Sequence, residues 1–261
     1  MKEFFGFGGY TREPEGYFSW QHLTFVTALM IIMAVCAVWL GRRNRTLEEG
    51  RKNKVIIASA ILIDSFEIIK IVLFCARAGE PMDWVYNLPL FLCSIQLIAI
   101  PLAGFSRGRL REASLDFVFI FGLLGAVFGT YLAGNNYSCY PVISLDNVVS
   151  GITHAISGFV SLYIVISGMA SMKKRNIPIT FGILGAFCVM AYIANIFTDC
   201  NYMFLSRGDG TPYDIIFNMV NGNAVLYPLI VVGLFIAYIA LFYYIFFLIS
   251  NKVKGKRGAS K

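Results

Sequence analysis

A cysteine and a histidine far apart in the sequence have the residue types of a nucleophilic site. Cys93 lies in the stretch NLPLFLCS at residues 87–94, which begins the third of seven apolar runs. His154 lies about as far into the fifth run, within the small-residue segment 150–158. A thiol becomes a strong nucleophile when a neighbouring base takes its proton, and imidazole is a common base for this task. The sequence thus suggests Cys93 as nucleophile and His154 as its base.

Other polar residues at a similar depth are candidates for supporting roles. Asn87 and Asn195 carry amides that can donate to a developing oxyanion, and Ser94 places a hydroxyl beside the thiol. Cys93 and His154 themselves also have interpretations without catalysis. A buried cysteine is usually inert packing, and a membrane histidine often only joins helices by a hydrogen bond.

The second apolar run contains three charged residues on one helical face. Asp64, Glu67 and Lys70 have the spacing i, i+3, i+6. One interpretation is a buried ion pair between Glu67 and Lys70. The others are a group that orients the catalytic histidine, a proton path, or the lining of a solute pathway, since ionisable residues inside a membrane tend to mark sites or pathways. The sequence leaves these interpretations open.

The composition places these residues in a membrane protein. The chain has 261 residues, of which 57% are hydrophobic and 14% charged, with a mean hydropathy of +0.68. Seven runs are long enough for helices across a bilayer, so we predict one all-α, seven-transmembrane helix bundle. The predicted spans are residues 19–40, 55–75, 88–104, 114–133, 148–169, 179–198 and 224–250.

Basic residues predict the orientation of this bundle. Most of the 22 lysines and arginines lie in the loops after the first, third and fifth runs and in the tail. The positive-inside rule then places the N-terminus outside and the C-terminus in the cytoplasm. The predicted domains are an outer segment 1–18, a seven-helix domain 19–250 and a basic cytoplasmic tail 251–261. The net charge of +7 therefore reflects membrane orientation, and we expect no nucleic-acid partner.

The cysteines and histidines do not form a metal motif. The six cysteines show no CxxC spacing and the chain has two histidines, so we expect neither a metal nor a cofactor. Cys139 and Cys200 fall in loops predicted to lie outside, where a disulfide between them is one hypothesis.

Three segments carry a resemblance to a known family. The motif LPLFLC at 88–93, the histidine segment 150–158 and NYMFL at 201–205 together resemble the YwaF family of bacterial integral membrane proteins, over residues 19–250. That family is similar to eukaryotic transmembrane acyltransferases that move polyunsaturated acyl chains onto ether lysophospholipids. It is more remotely similar to androgen-induced membrane hydrolases. The bacterial motif usually has a histidine where this chain has Phe91.

The resemblance implies a function and a location. It assigns Cys93 as nucleophile and His154 as base of a lipid acyltransferase or acyl-ester hydrolase that works through an acyl-thioester. Its partners are membrane lipids, with a phospholipid or lysophospholipid as substrate, and its location is a bacterial plasma membrane. The alternatives are a transporter or small-solute binding protein that uses the face of Asp64, Glu67 and Lys70, or a structural membrane protein without catalysis.

Overall fold

The computed structural model describes residues 2–79 and 81–258, without the side chains of residues 2–3, 81–83, 135 and 252–258. Within these residues the chain forms ten α-helices and no strand, so the predicted all-α class is confirmed. The helices are α1 (Lys2–Phe5), α2 (Trp20–Asn44), α3 (Glu49–Ala78), α4 (Gln96–Phe105), α5 (Gly108–Tyr131), α6 (Gly134–Cys139), α7 (Leu145–Ile166), α8 (Ile177–Thr198), α9 (Tyr213–Met219) and α10 (Leu226–Gly258).

Five helical segments among the described residues are long and apolar enough to cross a membrane. They correspond to the first, fourth, fifth, sixth and seventh predicted runs. The segments are Trp20–Asn44, Gly108–Cys139, Leu145–Ile166, Lys174–Thr198 and Leu226–Asn251. The structure thus supports a multi-pass membrane protein with five candidate spans.

The second and third predicted runs differ from these five. Helix α3 has 30 residues, which is long enough to span, but the charged residues of its middle reduce its apolar character. The third run is helical only over the 10 residues of α4, about 15 Å. Before α4, the Ser94 hydroxyl accepts a hydrogen bond from the Phe91 N–H at 3.0 Å and donates one to the Phe91 carbonyl at 3.1 Å. Such local bonds compete with helix formation, so this segment forms turns instead.

The chain divides into two compact units, residues 1–171 and 172–261. In the first unit, α7 packs against α2, α3 and α5, which places it at the centre. Small residues permit this packing: a methyl group at Gly158 would collide with Met33 of α2 and Ala126 of α5. The Ser161 hydroxyl also donates to the Phe119 carbonyl of α5 at 2.9 Å. A side chain on α7 is therefore surrounded by three other helices.

An ion pair closes one end of the first unit. Arg77 at the end of α3 donates to both carboxylate oxygens of Asp146 at the start of α7, each at 2.7 Å. The Tyr10 hydroxyl donates to the same carboxylate at 2.6 Å. Burial and this hydrogen bond raise the pKa of Tyr10 to about 12, so the phenol stays a donor at neutral pH. The N-terminal segment is thereby attached to two helices.

The second unit consists of α8, α9, α10 and the loop between α8 and α9. The hydroxyls of Thr180 on α8 and Tyr243 on α10 are 3.1 Å apart. In the loop, the Asn201 side chain accepts from the backbone N–H of Ser206 at 3.0 Å and donates to the carbonyl of Arg207 at 2.7 Å. These bonds keep the loop compact. Most side chains of the predicted basic tail 251–261 lie outside the described residues.

Candidate functional site

The structure brings the side chains of Cys93 and His154 close enough to interact with each other. Cys93 lies in the turns just before α4 and is partly exposed as a residue. His154 lies on the third turn of α7, the central helix of the first unit. Two residues that are distant in the sequence therefore form one pair within one compact unit.

The hydrogen bonds of His154 determine which ring nitrogen can act as a base. Its Nδ1 is 2.7 Å from the carbonyl oxygen of Ser150. A carbonyl only accepts, so Nδ1 carries the proton of the neutral ring and Nε2 keeps its lone pair. Nε2 is buried and has no hydrogen bond of standard geometry to any described residue. Catalytic pairs are often poorly aligned before substrate binds, and the nitrogen here is free to accept the thiol proton.

Two glycines of α5 make room for this pair. Gly125 and Gly129 are four residues apart and lie on one face of the helix. A methyl group at Gly129 would overlap Nε2 of His154, whereas one at Gly125 would lie 3.5 Å from Cα and Cβ of Cys93. Sequence reasoning missed both glycines. The available signal was their GxxxG spacing, which marks close approach between membrane helices.

Charged residues of α3 lie near the pair. The Lys70 ammonium is 2.5 Å from a carboxylate oxygen of Glu67, and both side chains are mostly buried. Lys70 is close enough to interact electrostatically with His154. Asp64 interacts in the same way with Glu67. The charged face predicted from the sequence thus contains an ion pair and extends to the histidine.

The remaining candidates occupy other environments. The Ser94 hydroxyl is used in the turn with Phe91. Asn87 ends a 3₁₀ helix, Pro81–Asn87, six residues before Cys93. Asn195 belongs to the second unit, where its carboxamide accepts from the Tyr202 N–H at 2.6 Å and donates to the Tyr202 carbonyl at 3.1 Å. The hydrogen-bonding groups of Ser94 and Asn195 therefore have local structural uses.

A further polar residue next to the cysteine was missed by sequence reasoning. Gln96 is fully buried, and neither carboxamide atom has a hydrogen-bond partner among the described residues. It is three residues after Cys93, and its backbone N–H is 3.4 Å from the Cys93 carbonyl, so the two positions share one side of a helical turn. An unpaired buried amide costs about 1–3 kcal/mol. The signal in the sequence was a glutamine inside an apolar run.

The cysteines and acidic residues show no metal-binding arrangement in the described part of the chain, which has no cluster of three or more His, Cys, Asp or Glu that could hold an ion. All six cysteines are free thiols, including Cys139 and Cys200, for which a disulfide was one hypothesis.

Comparison with known proteins gives the family. No curated protein and no solved structure matches the chain. The model of the TMEM164 family, a family of transmembrane proteins, matches residues 17–248. The match covers Cys93 and His154, four of the five apolar segments completely, and the fifth except for its last residues. The chain therefore belongs to the TMEM164 family and is a multi-pass integral membrane protein.

Proposed function

We propose that this protein is a lipid acyltransferase that forms an acyl-thioester on Cys93 with His154 as the general base. One observation carries the proposal: Cys93 interacts with a histidine whose Nε2 is buried and has no standard hydrogen bond to a described residue. A nucleophile beside a base that is itself oriented by a third group is the usual arrangement for covalent catalysis. Here the Ser150 carbonyl orients the imidazole.

In the first half-reaction, the acyl group moves from a donor lipid to the enzyme. The thiol proton passes to Nε2, and the sulfur of Cys93 attacks the ester carbonyl carbon. The resulting oxyanion needs a hydrogen-bond donor, and the unpaired carboxamide of Gln96 is our candidate. The intermediate then collapses. The C–O bond breaks, the leaving alkoxide takes the proton from the imidazolium, and a lysolipid departs.

In the second half-reaction, the acyl group moves to an acceptor. The acceptor hydroxyl gives its proton to Nε2 and attacks the thioester carbon, after which the C–S bond breaks and the thiolate is reprotonated by the imidazolium. A lysophospholipid acceptor makes the enzyme a transferase, and water makes it a hydrolase. A site that excludes water favours transfer. With either acceptor, the two half-reactions balance without a cofactor.

The proposed substrates are a phospholipid donor and a lysophospholipid acceptor. The five apolar segments place the protein among lipids. The resemblance of the sequence to the YwaF family and to ether-lysophospholipid acyltransferases points to the same class. Lys70 lies near Cys93 and His154, and its side chain is 19% exposed. Its ammonium can therefore attract a lipid phosphate.

The proposed topology has seven spans, with the N-terminus outside and the C-terminus in the cytoplasm of a bacterial plasma membrane. In this proposal α3 is the second span and the segment around α4 is the third, and the five apolar segments are the other spans. The support is the concentration of basic residues in alternate loops and the tail. Pairing of Glu67 with Lys70 reduces the free-energy cost of placing these two charges inside a bilayer.

A thioester trap tests the proposed function. Full-length protein in nanodiscs is given a phospholipid with an isotope-labelled acyl chain and a lysophospholipid acceptor. We expect labelled product and a hydroxylamine-sensitive acyl adduct on the intact protein. Both should be lost in Cys93→Ala and retained in Cys75→Ala, since Cys75 is a free thiol of similar partial exposure.

Equal product formation by Cys93→Ala and Cys75→Ala would disprove the thioester mechanism. Solute uptake that depends on Glu67 and Lys70 and is indifferent to Cys93→Ser would instead support the transporter alternative.

A further inference from the structure

A cavity of about 540 Å³ lies at the start of α3, far from the cysteine and histidine. Glu49 is part of its wall, and Lys70 is the residue of α3 that lies near His154. The two are 21 positions apart, which corresponds to about 30 Å along the helix. The cavity is thus distinct from the proposed catalytic site. It is lined by Glu49, Gly50, Asn53 and Ile57 of α3 and by Gly104, Phe105, Ser106, Arg107, Gly108 and Arg111 of α4, α5 and their connection.

Hydrogen bonds between α3 and the other wall hold the cavity in shape. The Asn53 amide donates to the Gly104 carbonyl at 2.7 Å. Arg111 donates through Nη1 to the Glu49 carboxylate at 3.1 Å and through Nη2 to the Asn53 side-chain oxygen at 3.3 Å. The side chain of Arg111 is therefore fixed in the wall, with 19% of its surface exposed.

The cavity has an excess of positive charge. Two guanidinium groups, those of Arg107 and Arg111, face a single carboxylate, that of Glu49. The Glu49 side chain is 78% exposed, so water weakens its pairing with Arg111. Arg107 is exposed, and its guanidinium has no hydrogen bond or ion pair to any described residue. An arginine of this kind has its forked donors available for an anion.

The lining also contains apolar surface. Ile57 and Phe105 border the cavity, and Phe105 is 62% exposed. Arginine donors match the oxygens of phosphate, and the neighbouring apolar surface suits the glycerol and upper acyl chain of a lipid. The basic loop 42–54 and the basic residues 107–111 belong to the same side of the membrane in the proposed topology, where anionic lipids concentrate around positive charge.

We propose that this cavity binds a phosphate group through Arg107 and Arg111. The phosphate comes either from the headgroup of an anionic phospholipid in the adjacent leaflet or from a soluble phosphate compound. The proposal does not depend on acyl transfer at Cys93, because the two sites are at opposite ends of α3.

Native mass spectrometry of the full-length protein tests the proposal. The protein is released from micelles containing phosphatidylglycerol, or phosphatidylcholine as the zwitterionic control without net charge, with and without inorganic phosphate. We expect saturable retention of phosphatidylglycerol over phosphatidylcholine. Arg107→Gln should weaken it roughly ten-fold, the effect of losing one charge-assisted hydrogen bond. Arg45→Gln is the matched control, since Arg45 is an exposed arginine of a neighbouring basic loop that does not line the cavity.

The arms of the experiment separate the two sources. Retention of phosphatidylglycerol that depends on Arg107 assigns the site to a lipid headgroup. Inorganic phosphate that raises the thermal midpoint of the wild type but not of Arg107→Gln, without selective lipid retention, assigns it to a soluble phosphate. Arg107→Gln and Arg45→Gln that behave alike with both probes would overturn the proposal. Because Arg107 is exposed, unchanged thermal midpoints of both variants without ligand are the expected control for folding.

Discussion

The two histidines of this chain lie in contrasting surroundings within the same compact unit. His22 is fully buried at the start of α2. Its Nδ1 accepts from the Phe18 N–H at 3.2 Å, and its Nε2 donates to the Thr130 carbonyl at 3.0 Å. Its ring also packs on Tyr137, with 3.9 Å between centroids. Both nitrogens are satisfied, so His22 joins structural elements and has no lone pair left for chemistry.

His154 has the opposite tautomer and one nitrogen without a standard hydrogen bond. Its proton is on Nδ1, which donates to Ser150, and its Nε2 is buried near the thiol of Cys93. Residue type does not distinguish the two histidines, and their different positions in the helices do not show which one has a nitrogen available. The difference is in their hydrogen-bond inventory, and this makes His154 the candidate base.

The largest expected effect is a difference in activity between variants of the two histidines. His154→Gln should lower the rate of acyl transfer about 10²- to 10⁴-fold, because the general base is lost. His22→Gln should leave the rate per folded molecule close to that of the wild type. The measurement is product formation by mass spectrometry, normalised to folded protein. Similar losses of rate in both variants would contradict the assignment of His154, and not His22, as the general base.

The next effect concerns the glycines of α5. Gly129→Ala places a methyl group on Nε2 of His154 and must displace the imidazole from Cys93, so we expect a loss of about 100-fold in rate, typical of a misplaced catalytic group. Gly125→Ala makes only an ordinary contact of 3.5 Å with Cys93 and should be tolerated. Equal rates in the two alanine variants would show that the position of the ring does not matter for activity.

A third effect appears in stability instead of activity. His22→Leu leaves the Phe18 N–H and the Thr130 carbonyl without their partner, so we expect the free energy of unfolding to fall by about 1–3 kcal/mol. Thermal denaturation in detergent gives the measurement. The rate of the remaining folded protein should be unchanged, and a specific loss of rate would instead place His22 in the reaction.

The smallest effect concerns Gln96. Removing an oxyanion donor by Gln96→Leu should slow transfer about ten-fold, the effect of losing one hydrogen bond to a charged group. Because the carboxamide has no partner in the unliganded protein, the same change should leave stability equal or raise it by about 1 kcal/mol. Enzyme assays and thermal denaturation of one preparation test both. A destabilised variant with full activity would make Gln96 a structural residue.

The sequence alone was informative about class and candidates. Composition predicted an all-α membrane protein, and that class is confirmed. Matching depths in the third and fifth runs predicted that Cys93 and His154 can meet, and the structure does bring them together; their catalytic role stays a prediction. The seven-span count also stays a prediction, because the third run forms turns and a ten-residue helix.

The tertiary structure decided what these residues can do. The sequence determined the apolar runs, the charged face of α3 and the rarity of histidine, because hydropathy and spacing are local properties. It could not specify the lone pair of Nε2, the space at Gly129 or the unpaired carboxamide of Gln96. Those features depend on which helices pack against α7 and on which polar atoms find partners there. Such contacts join residues far apart in the chain and exist only once the unit is folded.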